Sequence, residues 1–159
     1  QELIQYHREL IRIRRENPAC RWGCAQGLYM EGGYFSYGRF MDGNYVVTVI
    51  NNTEEGKKME IPVWIIEVPD KVLMRRHILS TEEGFTLEEA NYLVSDGMIE
   101  IFMLPHSAAV LSYTEEKTLE TAVKTEGMFA RFRGRIGRDR RKAEGPKGPY
   151  RQPRRRNFS

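Results

Sequence analysis

The chain has 159 residues, enough for about one domain of ordinary size and a short extension. Hydrophobic residues make up 40% and charged residues 30%, a balance that excludes a wholly disordered chain, a collagen-like repeat and a bundle of membrane helices. The formal charge of +3 conceals a division, because residues 129–159 hold 12 of the 25 Lys and Arg but only 2 of the 22 Asp and Glu. That segment carries a net charge of +10, and residues 1–128, with 13 positive and 20 negative side chains, carry −7. We therefore expect an acidic globule that ends in a basic arm.

An amphipathic helix is predicted at the start of the chain. Its apolar residues recur at intervals of three and four: Leu3, Ile4, Tyr6, Leu10, Ile11 and Ile13. Asn17 and Pro18 end the helix, since proline donates no backbone hydrogen bond and restricts the residue before it. No Ser, Thr, Asp or Asn precedes the helix to cap it, so we expect it to be the end of a longer polypeptide. Its apolar side must pack on the following domain, on a missing partner domain, or on both.

From residue 27 to residue 113 the pattern is that of short strands separated by turns. Asp42-Gly43 stands between two runs of strand type, which is a strong hairpin signal, and Asp96-Gly97 is expected to turn the chain into the next strand. Pro62 is expected at a sheet edge or a strand end, and residues 82–89 form a polar connection with room for one helical turn. About seven or eight strands at this spacing predict a mainly β protein, built as an antiparallel Greek-key β-sandwich behind one α-helix.

Four segments together resemble a known family: LIQYHRELIRIRRENPA, FSYGRF with DGNYVVTVINN, MEIPVW and LPHSAAVL. In this order they resemble the end of glycoside hydrolase family 13, the α-amylase family, and within it the neopullulanase, cyclomaltodextrinase and maltogenic amylase type. The resemblance covers about residues 1–113. It implies that residues 1–19 are the terminal helix of a truncated (β/α)₈ catalytic barrel and that residues 20–113 are a C-terminal β-sandwich domain. Residues 114–159 would then be a polar linker and a disordered basic tail.

The resemblance also implies a function for the parent enzyme. Such enzymes hydrolyse α-1,4 and in some cases α-1,6 glucosidic bonds in starch, pullulan, cyclodextrins or maltooligosaccharides. The implied partners are the upstream barrel and, through it, an α-glucan; no cofactor and no membrane are implied. A bacterial cytoplasmic location is expected. This chain would be a non-catalytic fragment that covers the barrel.

No catalytic residue is assigned. Retaining glycosidases place two carboxyl groups about 5 Å apart at the sugar. Asp42, Asp70 and Asp96 instead stand beside Gly or Pro, which is typical of turns. The glutamate pairs are adjacent in sequence, and adjacent side chains do not face a common point. These pairs are Glu54/Glu55, Glu82/Glu83, Glu88/Glu89 and Glu115/Glu116.

Histidine and cysteine indicate no metal site. The three histidines, His7, His77 and His106, are not spaced as metal ligands, and His106 is expected to shape the turn into the last strand. Cys20 and Cys24 are too few for a zinc site of four cysteines, and two reduced thiols are favoured over a bridge.

Exposed aromatic rings could stack on sugars, although most aromatics of a small sandwich fill its core or an interdomain contact. The candidates are Trp22, Tyr29, Tyr34, Tyr37, Tyr45 and Trp64. Trp22 is the one assigned to carbohydrate contact, because it lies in a loop containing Gly and Cys before the first clear strand.

The basic tail is expected to be disordered, because its few apolar residues do not offset the entropy of ordering it. Arginines alternate there with aromatic residues, a composition that suits contact with RNA or another polyanion. The arginines assigned to this contact are Arg131, Arg133, Arg135, Arg154, Arg155 and Arg156. The second interpretation is that the tail is an extension without function, and the sequence leaves both interpretations open. A small binding module that acts through this tail is therefore the alternative function.

Overall fold

The computed structural model describes residues 2–116, which belong to one compact unit. The helices are α1 (Glu2–Glu16) and α2 (Ala19–Trp22), with a 3₁₀ turn at Val63–Ile66. The strands are β1 (Cys24–Glu31), β2 (Tyr34–Met41), β3 (Asn44–Asn51), β4 (Lys57–Pro62), β5 (Leu73–Thr81), β6 (Gly84–Thr86), β7 (Ala90–Leu93), β8 (Met98–Met103) and β9 (Ser107–Thr114). None of the helices in this range is long and apolar enough to cross a bilayer.

The strands form two antiparallel sheets that pack as a sandwich. The larger sheet has the order β1-β2-β3-β9-β5-β6, with β7 also paired to β5, and the smaller one pairs β4 with β8. The last strand, β9, lies between β3 and β5, so the chain crosses to the small sheet and returns before this sheet is complete. The predicted fold class, mainly antiparallel β behind an N-terminal helix, is confirmed.

The core of the sandwich follows the strand period of two. Alternate residues of β3 and β9 face the small sheet, whose own alternate residues face back. The fully buried apolar residues that these four strands contribute to the core are Val47, Val49, Met59, Ile61, Ile99, Ile101, Met103, Ala109 and Leu111. The turns between strands hold the predicted aspartates: Asp42 and Asp96 adopt φ of 43° and 52°, each followed by a glycine with φ of 76°. Asp-Gly provides this pair of positive φ values at low cost, which is why it is favoured in two-residue hairpins.

Three local predictions are wrong. Residues 84–86 form β6 rather than a helical turn. The pattern predicts one strand over residues 58–64, but β4 ends at Pro62, which donates no ladder bond, and Trp64 lies in the 3₁₀ turn that follows. The region assigned to a loop around Trp22 is instead the one-turn helix α2, which leads directly into β1 at Cys24.

The opposite face of the large sheet is covered by α1, which makes a third layer. Val46 and Ile78 are 2% exposed although they point away from the sandwich core, and Ile13 on the helix is 3% exposed. The ring of Tyr6 lies 5.4 Å from that of Phe85 on β6, measured between centroids. The apolar side of the helix therefore packs on the sandwich, which is one of the two destinations expected for it.

A network of buried asparagines fixes the end of α1 to the sandwich. The Asn44 side chain donates to Asn17 Oδ1 (3.0 Å) and to Thr114 Oγ1 (2.8 Å). Its Oδ1 accepts the backbone N–H of Ala19 at 2.9 Å, and Asn17 Nδ2 donates to the Ile13 carbonyl at 2.8 Å. Asn17 and Asn44 are 3% and 0% exposed, so these bonds replace water that cannot reach them. The network joins α1, α2, β3 and β9 at one point.

We predict that Asn44→Leu lowers the free energy of unfolding by about 3 kcal/mol, because it leaves the buried Ala19 N–H and the side-chain oxygen Oδ1 of Asn17 without a partner. Urea unfolding followed by circular dichroism measures the change. Asn91→Leu, at an exposed position of β7, is the control and should stay within about 0.5 kcal/mol of the parent. Equal losses in both variants would contradict the role given to the network.

Candidate docking surface

The apolar arc of α1 is wider than the sandwich covers. Residues 6, 10 and 13 face the large sheet, whereas the neighbouring strip of Leu3, Ile4 and Ile11 is exposed by 68%, 58% and 49%. At about 100° per residue, Leu3 adjoins residue 10, whereas Ile4 and Ile11 lie almost opposite Ile13 on the helix surface. We call the strip formed by Leu3, Ile4 and Ile11 the open face of α1. It is an apolar surface for which the described residues supply no cover.

Charged side chains border the open face. Arg8 follows Ile4 by one helical turn, and Arg15 follows Ile11 by one turn. An open depression is lined by these two arginines with Ile11, Arg12 and Glu16. Arg12 itself is held within the helix, since its guanidinium donates to Glu9 (2.7 Å) and to Glu16 (2.7 and 2.9 Å). The bonds to Glu9 and Glu16 raise the pKa of Arg12. An apolar strip with a charged border is typical of a surface that packs against another protein domain.

His77 lies beneath α1, at a bulge of β5 opposite β9. Its Nε2 is 2.6 Å from Ser112 Oγ, and its Nδ1 is buried without a hydrogen-bond partner among the described residues. Burial lowers the pKa of His77, and the positive charges of Arg75 and Arg12 lower it further. The histidine is therefore a neutral residue of the contact between helix and sheet.

The predicted turn aspartates and histidines have structural contacts. Asp70 Oδ1 accepts the backbone N–H of Gly97 at 3.2 Å. His106 has φ of 45° and donates its backbone N–H to the Thr53 carbonyl, which agrees with a role in the turn before β9. His7 bonds the Leu3 carbonyl within α1. Cys20 and Cys24 are free, and burial raises the pKa of the Cys20 thiol. Residues 2–116 contain no group of three His, Cys, Asp or Glu placed to hold a metal ion.

One pair of neighbouring carboxylates was not predicted from the sequence. Glu60 on β4 and Glu100 on β8 are direct cross-strand partners, although forty residues of chain separate them. Only the register of the two strands brings them together. Both are exposed on the outer face of the small sheet, and Lys58 Nζ lies 2.6 Å from Glu100. A solvated pair with its own lysine is an ordinary surface arrangement, so no catalytic role is assigned to it.

The aromatic candidates divide into two groups. Tyr29, Tyr34 and Tyr45 pack against the sandwich core. Trp22, at the end of α2, is 76% exposed, Trp64 on the 3₁₀ turn is 60% exposed, and Tyr37 on β2 is 41% exposed. The structure places these two indoles in solvent, and the carbohydrate role of Trp22 stays a prediction. The six arginines assigned to polyanion contact lie outside the described residues.

No family model matches the chain. Among solved structures, an α-amylase from Anoxybacillus is similar over 72% of this chain, with 23% identity and a TM-score of 0.58. An α-amylase from Geobacillus thermoleovorans, solved in complex with acarbose, is similar over 71% of this chain, with 20% identity and a TM-score of 0.57. The chain spans only 23% of the length of each of these two enzymes. At this identity the likeness establishes a shared fold with one part of each α-amylase.

We predict that stability falls as the pH drops below about 6.5, the ordinary pKa of histidine. The pKa of His77 is lower in the folded protein than in the unfolded chain. Below that pH, His77 is therefore protonated more readily in the unfolded chain, which favours unfolding. The loss ends once the pH is below the folded pKa. Melting temperatures at pH 7.5 and 5.0 should differ more in the parent than in His77→Gln. His7→Gln, which replaces an exposed histidine, is the control and should keep the parental pH dependence. If the melting temperature of His77→Gln depended on pH as much as that of His7→Gln, the role given to His77 would be contradicted.

Proposed function

We propose that the chain is the non-catalytic C-terminal portion of an α-amylase-family glycosidase, and that its task is to complete and cover the catalytic barrel. The observation that carries this proposal is the division of α1 into two apolar faces. Ile13 is buried against the sandwich, while Ile4 and Ile11 remain exposed. A helix with apolar residues on both sides is expected between two packed layers. In this proposal the second layer is the barrel, and α1 is its last helix.

The likeness to solved α-amylases supports the same assignment. The similar region covers nearly three quarters of this chain but less than a quarter of each α-amylase chain. A larger remainder, which in such enzymes includes the catalytic machinery, would therefore belong to the partner of this chain. Within the family we propose the neopullulanase, cyclomaltodextrinase or maltogenic amylase type, on the four sequence segments that resemble it. The parent substrate would then be an α-glucan with α-1,4 and in some cases α-1,6 links.

The energetics favour a close contact at the open face of α1. Covering an exposed leucine or isoleucine side chain contributes about 1.5–3 kcal/mol. Three such residues supply enough to hold two domains that are joined by the peptide chain, because linkage removes most of the entropic cost of association. The charged border of Arg8 and Arg15 would remain at the rim of the contact, where its desolvation costs little.

We predict that the purified chain does not hydrolyse maltooligosaccharides, and that it restores hydrolysis when mixed with an α-amylase-family barrel that lacks its last helix and sandwich. Release of reducing ends from maltoheptaose measures both. Ile11→Lys should reduce the restored activity at least about tenfold, since it places a charge in the open face. Gln5→Lys, on the opposite side of α1 and also exposed, is the matched control.

Two results would count against the proposal. Hydrolysis by the purified chain alone would show that it carries its own catalytic residues. Complementation that Ile11→Lys and Gln5→Lys affect equally would show that the open face is not the contact.

A second function is favoured by the segregation of charge, with +10 on residues 129–159 and −7 on the rest. We propose that this segment binds RNA or another polyanion through its arginines. The full chain should be retained on immobilised RNA at low salt and be released steeply as salt rises, because bound phosphates release counterions. Replacing Arg131, Arg133, Arg135, Arg154, Arg155 and Arg156 by glutamine should abolish retention. RNA retention unchanged by these substitutions would contradict the proposal.

A further inference from the structure

One edge of the large sheet is open. Within residues 2–116, β1 pairs with β2 on one side only. Its first half, Cys24–Gly27, consists of four uncharged residues that are all exposed. Alternate residues of an edge strand direct their N–H and C=O groups away from the sheet, where they are available to another strand. We call Cys24–Gly27 the open edge of β1.

The far edge of the large sheet and the β4 edge of the small sheet carry features that prevent pairing. The opposite side of the large sheet ends in β6 and β7, which have only three and four residues. Four glutamates flank these short strands: Glu82, Glu83, Glu88 and Glu89. In the small sheet, β4 carries two lysines and ends at Pro62. Short length, charge and proline are the usual protection of sheet edges. The open edge belongs to a strand of eight residues and carries neither charge nor proline.

The second half of β1 is protected in a different way. A bulge between Gly27 and Tyr29 bends the strand. Beyond it, Lys57 Nζ of β4 bonds Tyr29 Oη (3.0 Å) and Glu31 Oε2 (3.1 Å), and lies 4.8 Å from the Tyr34 ring centroid. This clamp closes the seam between the two sheets. It leaves only the four residues before the bulge available.

We propose that the open edge of β1 is a self-association site, at which a second copy of this chain adds its own β1 in antiparallel orientation. A two-fold axis through the edge makes the two strands antiparallel, so each copy meets the same surface of the other. Backbone hydrogen bonds across the axis supply the attraction. This inference is independent of the proposed function, because it concerns the sheet edge and not the open face of α1.

Charge and exposure at the two ends of β1 indicate a second copy as the occupant. Arg21 lies just before the strand and Glu31 ends it. In an antiparallel pair, each arginine lies at the end where the other copy carries its glutamate. The hydrogen bonds to Glu31 shown among the described residues all go to Oε2, and its side chain is 68% exposed. Two exposed apolar side chains lie inside these charges, Trp22 (76%) and Met30 (89%), and the same antiparallel pairing brings them toward each other.

The experiment measures the mass of the full chain by sedimentation equilibrium, from low micromolar concentration to the limit of solubility. We expect the weight-average mass to rise from 18.6 kDa toward twice that value. The double variant Ala25→Lys with Gln26→Lys should weaken dimerisation at least about tenfold, because it places like charges across the axis. Asn91→Lys adds a lysine to the protected edge strand β7 and should leave dimerisation unchanged. Arg21→Glu should weaken it as well, since it brings acidic groups together at both ends.

Each contrary result is distinct. A mass that stays at 18.6 kDa at every concentration overturns the proposal. So does a dimer that the Ala25→Lys, Gln26→Lys variant leaves intact while its circular dichroism matches the parent. A dimer abolished by Ile11→Lys and unaffected at β1 would assign the contact to the open face of α1 and also reject self-association through β1. Complementation of a barrel tests the proposed function separately, so either can fail alone.

Discussion

Two buried asparagine side chains, Asn17 and Asn44, determine how the helix meets the sandwich. The N–H groups and the oxygen of a buried side-chain amide need hydrogen-bond partners, because each unpaired group destabilises the folded state by its full desolvation free energy. Here the two amides bond each other, and their further partners are the Thr114 hydroxyl, the Ile13 carbonyl and one backbone group of α2, all within 3.0 Å.

 The group that α2 contributes is the backbone N–H of Ala19, at the first residue of that helix. Because these elements come from distant parts of the chain, all the bonds form together only in one arrangement.

That arrangement decides which side of α1 is used. With its last turn held at Asn44, the helix lies across the large sheet so that Ile13 is buried and Tyr6 reaches Phe85. The remaining apolar strip then points away from the sandwich. The same contact covers Val46 and Ile78. Because of these residues, part of the large sheet is apolar on both faces. Such a sheet needs layers on both sides, and α1 supplies the second one.

The edges of the two sheets show how a small sandwich avoids unwanted pairing. Lys57 closes the seam between β1 and β4 with a hydrogen bond to Tyr29 and an ion pair to Glu31. On an exposed surface the ion pair alone contributes little, but the same ammonium also lies over the Tyr34 ring. At the other side of the large sheet, acidic residues flank strands of only three and four residues. Cys24–Gly27 carries neither charge nor proline.

The sequence by itself determined the elements whose pattern is local: α1 from its helical period, the hairpin of β2 and β3 from Asp42-Gly43, the turn at Asp96-Gly97, and the end of β4 at Pro62. It did not determine features that depend on distant neighbours. Val63 and Trp64 continue a run of strand type, yet they begin a 3₁₀ turn, because strand pairing ends at Pro62. The facing pair of Glu60 and Glu100 exists only through strand register, and the neutral state of His77 depends on burial beneath α1. The division of the apolar arc of α1 was likewise decided by tertiary structure, since periodicity shows that a surface is apolar but not which partner removes it from water.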